Sequence, residues 1–257
     1  MQSIEEVRVF WTGGWDSTFR IVQLSRMDKV IQPIYIKGDG RPSEQKEIET
    51  MHTIIEEIGK KEETIATFLP IEIVDKNDIP ENQQITNAFE TMKKKIRIGT
   101  QYEWLARYAV LHPYVEIGPE CPDGEYSGIV EAINTYGKLI PHEDSWILDK
   151  ENSTEECNLL FGNYSYPIIK TTERKMLDLI KEWGYEDVMS HIWFCHNPIG
   201  GKTCGFCRPC EQKMDEHMEF LLDANGQKRY HRAKKVRKIF GLYGMKIYCK
   251  LYRLFAQ

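Results

Sequence analysis

A chain of 257 residues with 41% hydrophobic and 28% charged residues can bury a core as one α/β domain with appendages. No apolar run approaches the roughly 18 residues of a membrane span, and the start, Met1-Gln2-Ser3-Ile4-Glu5-Glu6, lacks the basic region and apolar core of a signal peptide. Seven cysteines, an odd number without an export signal, point to a reducing cytoplasm. The net charge of −5 conceals an asymmetry: residues 228–257 hold ten Lys and Arg and no Asp or Glu, leaving 24 basic against 39 acidic groups elsewhere.

Residues 7–11, Val-Arg-Val-Phe-Trp, predict a buried strand, and residues 19–27 predict the helix behind it. Between them lies Thr12-Gly13-Gly14-Trp15-Asp16-Ser17-Thr18. Two glycines alone mark no more than a tight strand-to-helix turn. The whole string is better suited to phosphate, because the glycines let backbone approach a ligand and the amides and dipole of the following helix attract anions. Asp16 is itself anionic, so its expected role runs through a bridging magnesium ion or a water. The string is not a Walker A loop, which ends in Gly-Lys-Ser/Thr.

Residues 30–36 predict a second strand, with Pro33 placing it near an edge. Residues 37–42 are a loop, and Ser43 caps a helix over 44–58 whose Met51, Ile54, Ile55 and Ile58 share one face. Residues 68–74 predict a third strand. Helices follow over 86–95 and over 102–111, the latter apolar at Tyr102, Leu105, Ala106, Ala109 and Val110, and a short strand spans 114–117. Residues 128–136 are helix-compatible, 141–163 look like loop with short elements, 167–169 form a strand or extended entry, and 173–183 form a helix burying Met176, Leu177, Leu179 and Ile180. Strands alternating with helices in this way indicate an α/β fold, a parallel sheet with helices on its faces.

Cys195, Cys204, Cys207 and Cys210 fall within 16 positions. Four thiolates satisfy tetrahedral zinc, and two-residue gaps let a knuckle aim its sulfurs at one point, with Gly205 supplying backbone freedom. An iron–sulfur cluster and a set of buried or redox cysteines are the alternatives. Cys121, Cys157 and Cys249 stand apart and read as structural. His196 reads as a core or solvated histidine, and Gly200-Gly201-Lys202-Thr203 as the loop inside the cysteine site.

The first loop resembles the Ser-Gly-Gly-x-Asp-Ser loop of the ATP-pyrophosphatase (PP-loop) superfamily, with Thr12 in place of the first Ser. With the four cysteines at the other end, the chain resembles 7-cyano-7-deazaguanine synthases over residues 7 to about 215. Gly13-Gly14-Trp15-Asp16-Ser17 matches the loop; Cys195, Cys204, Gly205, Cys207 and Cys210 match that family's Cys-x8-Cys-Gly-x-Cys-x2-Cys zinc site; residues 167–175 look like its Pro-Leu-x-x-x-Thr-Lys-x-Glu stretch. Departures fall where that family builds its substrate pocket. Glu173 stands in place of Lys and Lys175 in place of Glu, only Arg41 and Glu44 match the loop after the second strand, and Gly99-Thr100-Gln101-Tyr102, with Arg97 nearby, replaces an Arg-Asn pair. After the central strand, Gly118-Pro119-Glu120 replaces a Gly followed by a longer acidic segment.

The resemblance implies a Rossmann-like, adenine nucleotide alpha hydrolase-like sheet with helices on both faces and a C-terminal zinc knuckle that helps wall the pocket. With it the chain divides into an ATP-binding α/β domain (1–190) and a four-cysteine zinc segment (191–220), followed by a basic helical tail (221–257) that the resemblance does not cover. It implies ATP, Mg2+ and Zn2+ as cofactors. Thr12, Gly13, Gly14, Asp16, Ser17 and Thr18 would hold the triphosphate with help from Arg41 and Arg97. Asp16, Ser17, Lys170 and Lys175 are the candidate catalytic residues, although each of these basic residues also reads as surface charge. The implied reaction adenylates a 7-deazaguanine carboxylate, and ammonia then gives an amide and, with a second ATP, a nitrile.

Alternatives remain from the sequence. One is a diverged PP-loop ligase passing an adenylated acid to an amine on a macromolecule; another is an RNA-modifying enzyme; a third is a non-catalytic nucleotide-binding or zinc-ribbon module. The basic tail lies outside the family pattern. It reads as a helix packed on the acidic body, a partner or nucleic-acid dock, or a membrane-surface segment, with Ile247, Leu251, Leu254 and Phe255 at helical spacing. Monomer and homodimer are both open.

Overall fold

The computed structural model describes residues 5–121 and 128–255, the side chains of 253–255 excepted. The chain forms two compact units, one of Met1–Asp39 with Thr50–Ile192 and one of Gly40–Glu49 with Trp193–Gln257. Among the described residues no helix is long and apolar enough to cross a membrane.

The first unit carries β1 (Glu6–Phe10), α1 (Trp15–Ser25), β2 (Val30–Lys37), most of α2 (Glu44–Ile58), β3 (Thr67–Phe68), β4 (Glu72–Asp75), α3 (Gln83–Lys95), α4 (Gln101–Leu111) and β5 (Val115–Glu116). It continues through α5 (Gly128–Tyr136), the hairpin β6 (Leu139–His142) and β7 (Ser145–Leu148), α6 (Glu155–Phe161), β8 (Tyr164–Ser165), α7 (Glu173–Trp183) and α8 (Glu186–Met189). Strand order is β3-β2-β1-β5-β8 with β4 also on β2, and the recorded pairs are parallel. The result is an α/β layer structure, a parallel sheet flanked by helices. The chain leaves β1 for β2 on one side and comes back to β5 on the other, so strand order reverses between β1 and β5.

Apolar periodicity explains the packing. Phe10, Ile34 and Ile36 from the sheet meet Phe89 and Met92 of α3, Ala106 and Ala109 of α4, Ile133 of α5 and Phe161 of α6 in one core. Phe19 of α1 stacks on Trp183 of α7 at 5.7 Å. On α2, Met51, Ile54 and Ile58 are buried, and Ile55 is half-buried.

Several elements differ from the sequence expectation for identifiable reasons. Pro33 is not at an edge: β2 lies between β1 and the pair β3 and β4. The Leu69 amide bonds to Ile31 O at 2.9 Å, and Trp11 N bonds to Ile34 O at 2.9 Å, so odd positions of β2 face β3 and β4. The expected third strand is broken there around Pro70, opposite the N–H that Pro33 lacks, and Gln32 Nε2 bonds to Pro33 O and Pro70 O at 3.1 and 2.9 Å. The helix after the glycine loop starts at Trp15, four residues earlier than expected. On α4, Tyr108 is buried and Val110 is exposed. The strand expected at 167–169 lies at Tyr164–Ser165, and residues 167–170 turn instead. On α7, the buried side is Glu173, Met176 and Ile180.

One polar pair is buried between α1 and the sheet. Arg20 of α1, 3% exposed, gives Glu116 of β5 two hydrogen bonds at 2.8 and 2.6 Å and reaches Asp144 at 2.9 Å. Burial opposes the charge on Arg20, and the two carboxylates outweigh it and hold its pKa above normal. Removing one partner strands the other charge. Arg20→Met is expected to cost about 3–5 kcal/mol in urea unfolding, and adding Glu116→Leu should recover most of that loss.

Candidate functional site

The glycine loop leaves the carboxyl end of β1. Gly13 is left-handed at φ 72°, and Gly14 is the extended N-cap of α1, with no side chain capping the helix. Asp16 and Ser17 therefore sit in the first helical turn, and buried Trp11 donates from Nε1 to Thr18 Oγ1 at 2.9 Å, tying the two sides of the turn together. Gly118, just beyond β5, packs closely on this turn: a Cβ there would lie 3.6 Å from Ser17 N and Cα.

Three carboxylates meet at the same end of the sheet. Asp16, Glu120 and Glu173 each bring an oxygen within 4.8 Å of the others, Glu173 buried and the other two half-buried. They come from the first turn of α1, the segment after β5 and the first turn of α7. Cys121 N bonds to Thr171 O at 3.0 Å, which aligns the segment carrying Glu120 with the start of α7. There Thr172 accepts from the Lys175 amide at 3.2 Å as the N-cap. Two carboxylate charges no more than 4.8 Å apart repel by at least roughly 3 kcal/mol at an effective dielectric near 20, a cost that a bound divalent cation removes. Hard oxygen donors of this kind suit Mg2+. Burial, and then the Asp16 charge, push the Tyr102 phenol up to about 12, so Tyr102 is a protonated neighbour of Asp16 at neutral pH.

The basic candidates are placed differently. Lys170 is exposed, with Nζ 3.1 Å from the centre of the Trp146 ring. Lys175 and Arg97 are exposed on α7 and just beyond α3. Arg41 belongs to the second unit, where it pairs with Glu47 at 3.5 Å.

The second unit holds the cysteines, together with α9 (Arg208–Asp215) and α10 (Ala224–Phe255). Cys195, Cys204, Cys207 and Cys210 are buried, unbridged, and within 4.8 Å of one another at sulfur. Cys204–Cys210 and Cys195–Cys207 are both separated by 3.9 Å at sulfur. That is far beyond a disulfide and close to the roughly 3.8 Å between two thiolates on a tetrahedral zinc. Backbone amides face the sulfurs: Cys204 N to Cys195 Sγ at 3.1 Å, and Cys207 N to Cys204 Sγ at 3.2 Å. Gly205 makes this turn at φ 79°, and a Cβ on it would fall 2.0 Å from Gly226 O. Hydrogen bonds among the sulfurs push Cys195 and Cys210 up and Cys204 and Cys207 down, an uneven sharing that a metal replaces. Four such sulfurs can hold a metal such as zinc. His196 is not among the clustered groups. Gly200 and Gly201 form a left-handed turn between Ile199 and Lys202, a tight hairpin.

No protein-family model matches this chain, and no curated protein matches it. The class of protein is therefore set by its own geometry: an α/β chain with a glycine loop and three carboxylates at the carboxyl ends of a parallel sheet, and a separate four-cysteine site. Sequence reasoning singled out Asp16 but not its partnership with Glu120, Glu173 and Tyr102. A weak signal existed: Glu120 and Glu173 each follow a predicted strand, which is where ligand loops gather in parallel sheets.

Proposed function

We propose that the chain is a PP-loop enzyme of Rossmann-like fold that cleaves ATP to AMP and pyrophosphate in order to activate a carboxylate, 7-deazaguanine carboxylate being the first candidate. The observation that carries this reading is the juxtaposition of the Gly13-Gly14 turn with the carboxylates of Asp16, Glu120 and Glu173, at the point where strand order reverses between β1 and β5. Open parallel sheets bind ligands at such points.

In this reading the loop amides and the α1 dipole hold phosphate oxygens, and the three carboxylates hold Mg2+. The ion supplies charge neutralisation on the leaving pyrophosphate. The acid's carboxylate oxygen attacks the α-phosphorus and the bond to pyrophosphate breaks. Ammonia then attacks the acyl carbon, AMP departs with the electron pair of the C–O bond, and a proton is lost to water, leaving the amide. The amide oxygen then attacks the α-phosphorus of a second ATP and pyrophosphate leaves; AMP departs with the electron pair of the C–O bond, and the nitrogen gives both its protons to water, leaving the nitrile. No side chain acts as nucleophile, so the protein's work is positioning and charge stabilisation. Thr12, Ser17 and Thr18 belong to the phosphate loop, the neutral Tyr102 phenol lies near Asp16, and Arg97, Lys170 and Lys175 are the first unit's candidate cations. The cysteine quartet is a closed zinc site with a structural role, since four thiolates leave no open position. A reducing cytoplasm would keep those thiolates available to the metal.

A second reading keeps the activation step and changes the acceptor, an amine on a macromolecule replacing ammonia. It is favoured by the charge exchange at 173–175, which leaves Lys175 exposed, and by the basic segment 228–257. Incubation with ATP, Mg2+, 7-carboxy-7-deazaguanine and ammonium, with products read by mass spectrometry, separates the readings. AMP with an amide or nitrile supports the synthase. AMP without either product moves the search to another acid or amine, and ATP left intact counts against PP-loop chemistry.

A further inference from the structure

The second unit presents a feature that adenylation does not use. Helix α10 is interrupted at Gly241, whose φ of 67° and ψ of −172° are not helical. The chain doubles back there. The Arg229 guanidinium lies 5.8 Å from the Tyr252 ring centre, and Ala233, Met245 and Cys249 share one core with the four cysteines. Residues 224–240 and 242–255 are thus antiparallel arms of a helical hairpin, with Gly241 at its tip.

The tip is apolar and exposed. Ile239, Phe240, Leu242 and Tyr243 are 71, 69, 50 and 78% exposed. In the second arm, Met245, Cys249 and Tyr252 face the cysteine core, whereas Tyr243, Ile247 and Leu251, spaced by four, line an exposed stripe. This arm is therefore apolar on two faces, of which its own unit covers one. Exposed cations lie on both arms: Lys235, Arg237 and Lys238 before the tip, Lys246 and Lys250 after it. Lys234 is engaged with Asp215 at 3.3 Å, and no acidic residue occurs in 228–257.

We propose that this hairpin docks the protein on an anionic lipid surface, with the Ile239–Tyr243 tip entering the boundary between headgroups and acyl chains and the flanking lysines and arginines contacting the headgroups. Apolar side chains bordered by unopposed cations are the pattern of interfacial membrane helices. A nucleic acid would use the cations and could stack bases on Phe240 and Tyr243, but it would gain nothing from the exposed aliphatic Ile239 and Leu242 beside them. An acidic protein would not need the apolar residues gathered at the end of a hairpin.

The test is flotation of the whole chain with phosphatidylcholine vesicles and with vesicles containing about one-third phosphatidylglycerol. Binding to the anionic vesicles should exceed that to neutral ones by about tenfold or more, and should fall about tenfold in 0.5 M salt. Phe240→Glu with Tyr243→Glu should abolish it, and Lys235→Glu with Lys238→Glu should weaken it at least tenfold. All four positions are exposed, and an unchanged thermal transition checks that these variants fold. Equal binding to both kinds of vesicle, no binding to either, or tip variants that bind like the parent would overturn the proposal. So would retention by RNA alone, insensitive to the tip variants.

Discussion

Asp16→Asn is expected to lower AMP formation by about 10³-fold while leaving the fold intact. The change keeps the shape of the side chain in the first turn of α1 and removes only its charge. If the Asp16, Glu120 and Glu173 carboxylates hold Mg2+ on the phosphates, the lost stabilisation is several kcal/mol, and each 1.36 kcal/mol is a factor of ten in rate. Circular dichroism and the thermal transition should not move, since the hydrogen bond from Trp11 to Thr18 that ties the turn is kept. Glu173→Gln is the sharper companion. The resemblance places a lysine at 173 and a glutamate at 175, but here it is Glu173 that lies in the carboxylate cluster while Lys175 is exposed. A loss on Glu173→Gln with little effect of Lys175→Ala, measured as pyrophosphate release against Mg2+ concentration, would assign cation binding to Glu173. The opposite pattern, with Asp16→Asn fully active, would remove the metal from this end of the sheet.

How far the molecule is legible in its sequence follows from the range of each interaction. The glycine loop is visible because a strand, a turn and a helix start are consecutive. The cysteine quartet is visible because three of its members lie within seven positions. Helix 128–136 and helix 173–183 are visible because apolar spacing is a local pattern. What depends on strand order is not. Pro33 looks like an edge residue until the break around Pro70 is seen opposite it. Glu120 and Glu173 look unrelated to Asp16 until β5 is placed beside β1, and β8 beside β5. Arg20 and Glu116, 96 residues apart, carry no mark in the sequence of being a buried pair. The turn at Gly241 hides inside a continuous helical pattern, because a glycine within such a pattern is as compatible with a straight helix as with a reversal.

If the four cysteines hold a structural metal, removing it is expected to unfold the second unit. The sulfurs are not an appendage to its core; they are the centre of it, surrounded by Phe206, Leu222, Ala233, Met245 and Cys249. Structural zinc contributes about 10–16 kcal/mol to the folding of small zinc domains near neutral pH, as much as or more than the whole stability of a typical domain. Cys207→Ser or strong chelation should therefore lower the metal content from about one equivalent per chain to near zero and remove the helical ellipticity of α10. The same loss is expected of Gly205→Ala, which leaves all four ligands in place: its Cβ would sit 2.0 Å from Gly226 O, on backbone that cannot step aside without opening the knuckle. Elemental analysis with thermal unfolding, run on the parent and both variants, decides the matter. Zinc in the parent and a lost transition in both variants fit the closed tetrahedral site. Iron with visible absorption would replace zinc by a cluster on the same sulfurs. A metal-free parent that melts like its chelator-treated form would leave the four cysteines as core thiols, and the 3.9 Å sulfur separations would need another cause.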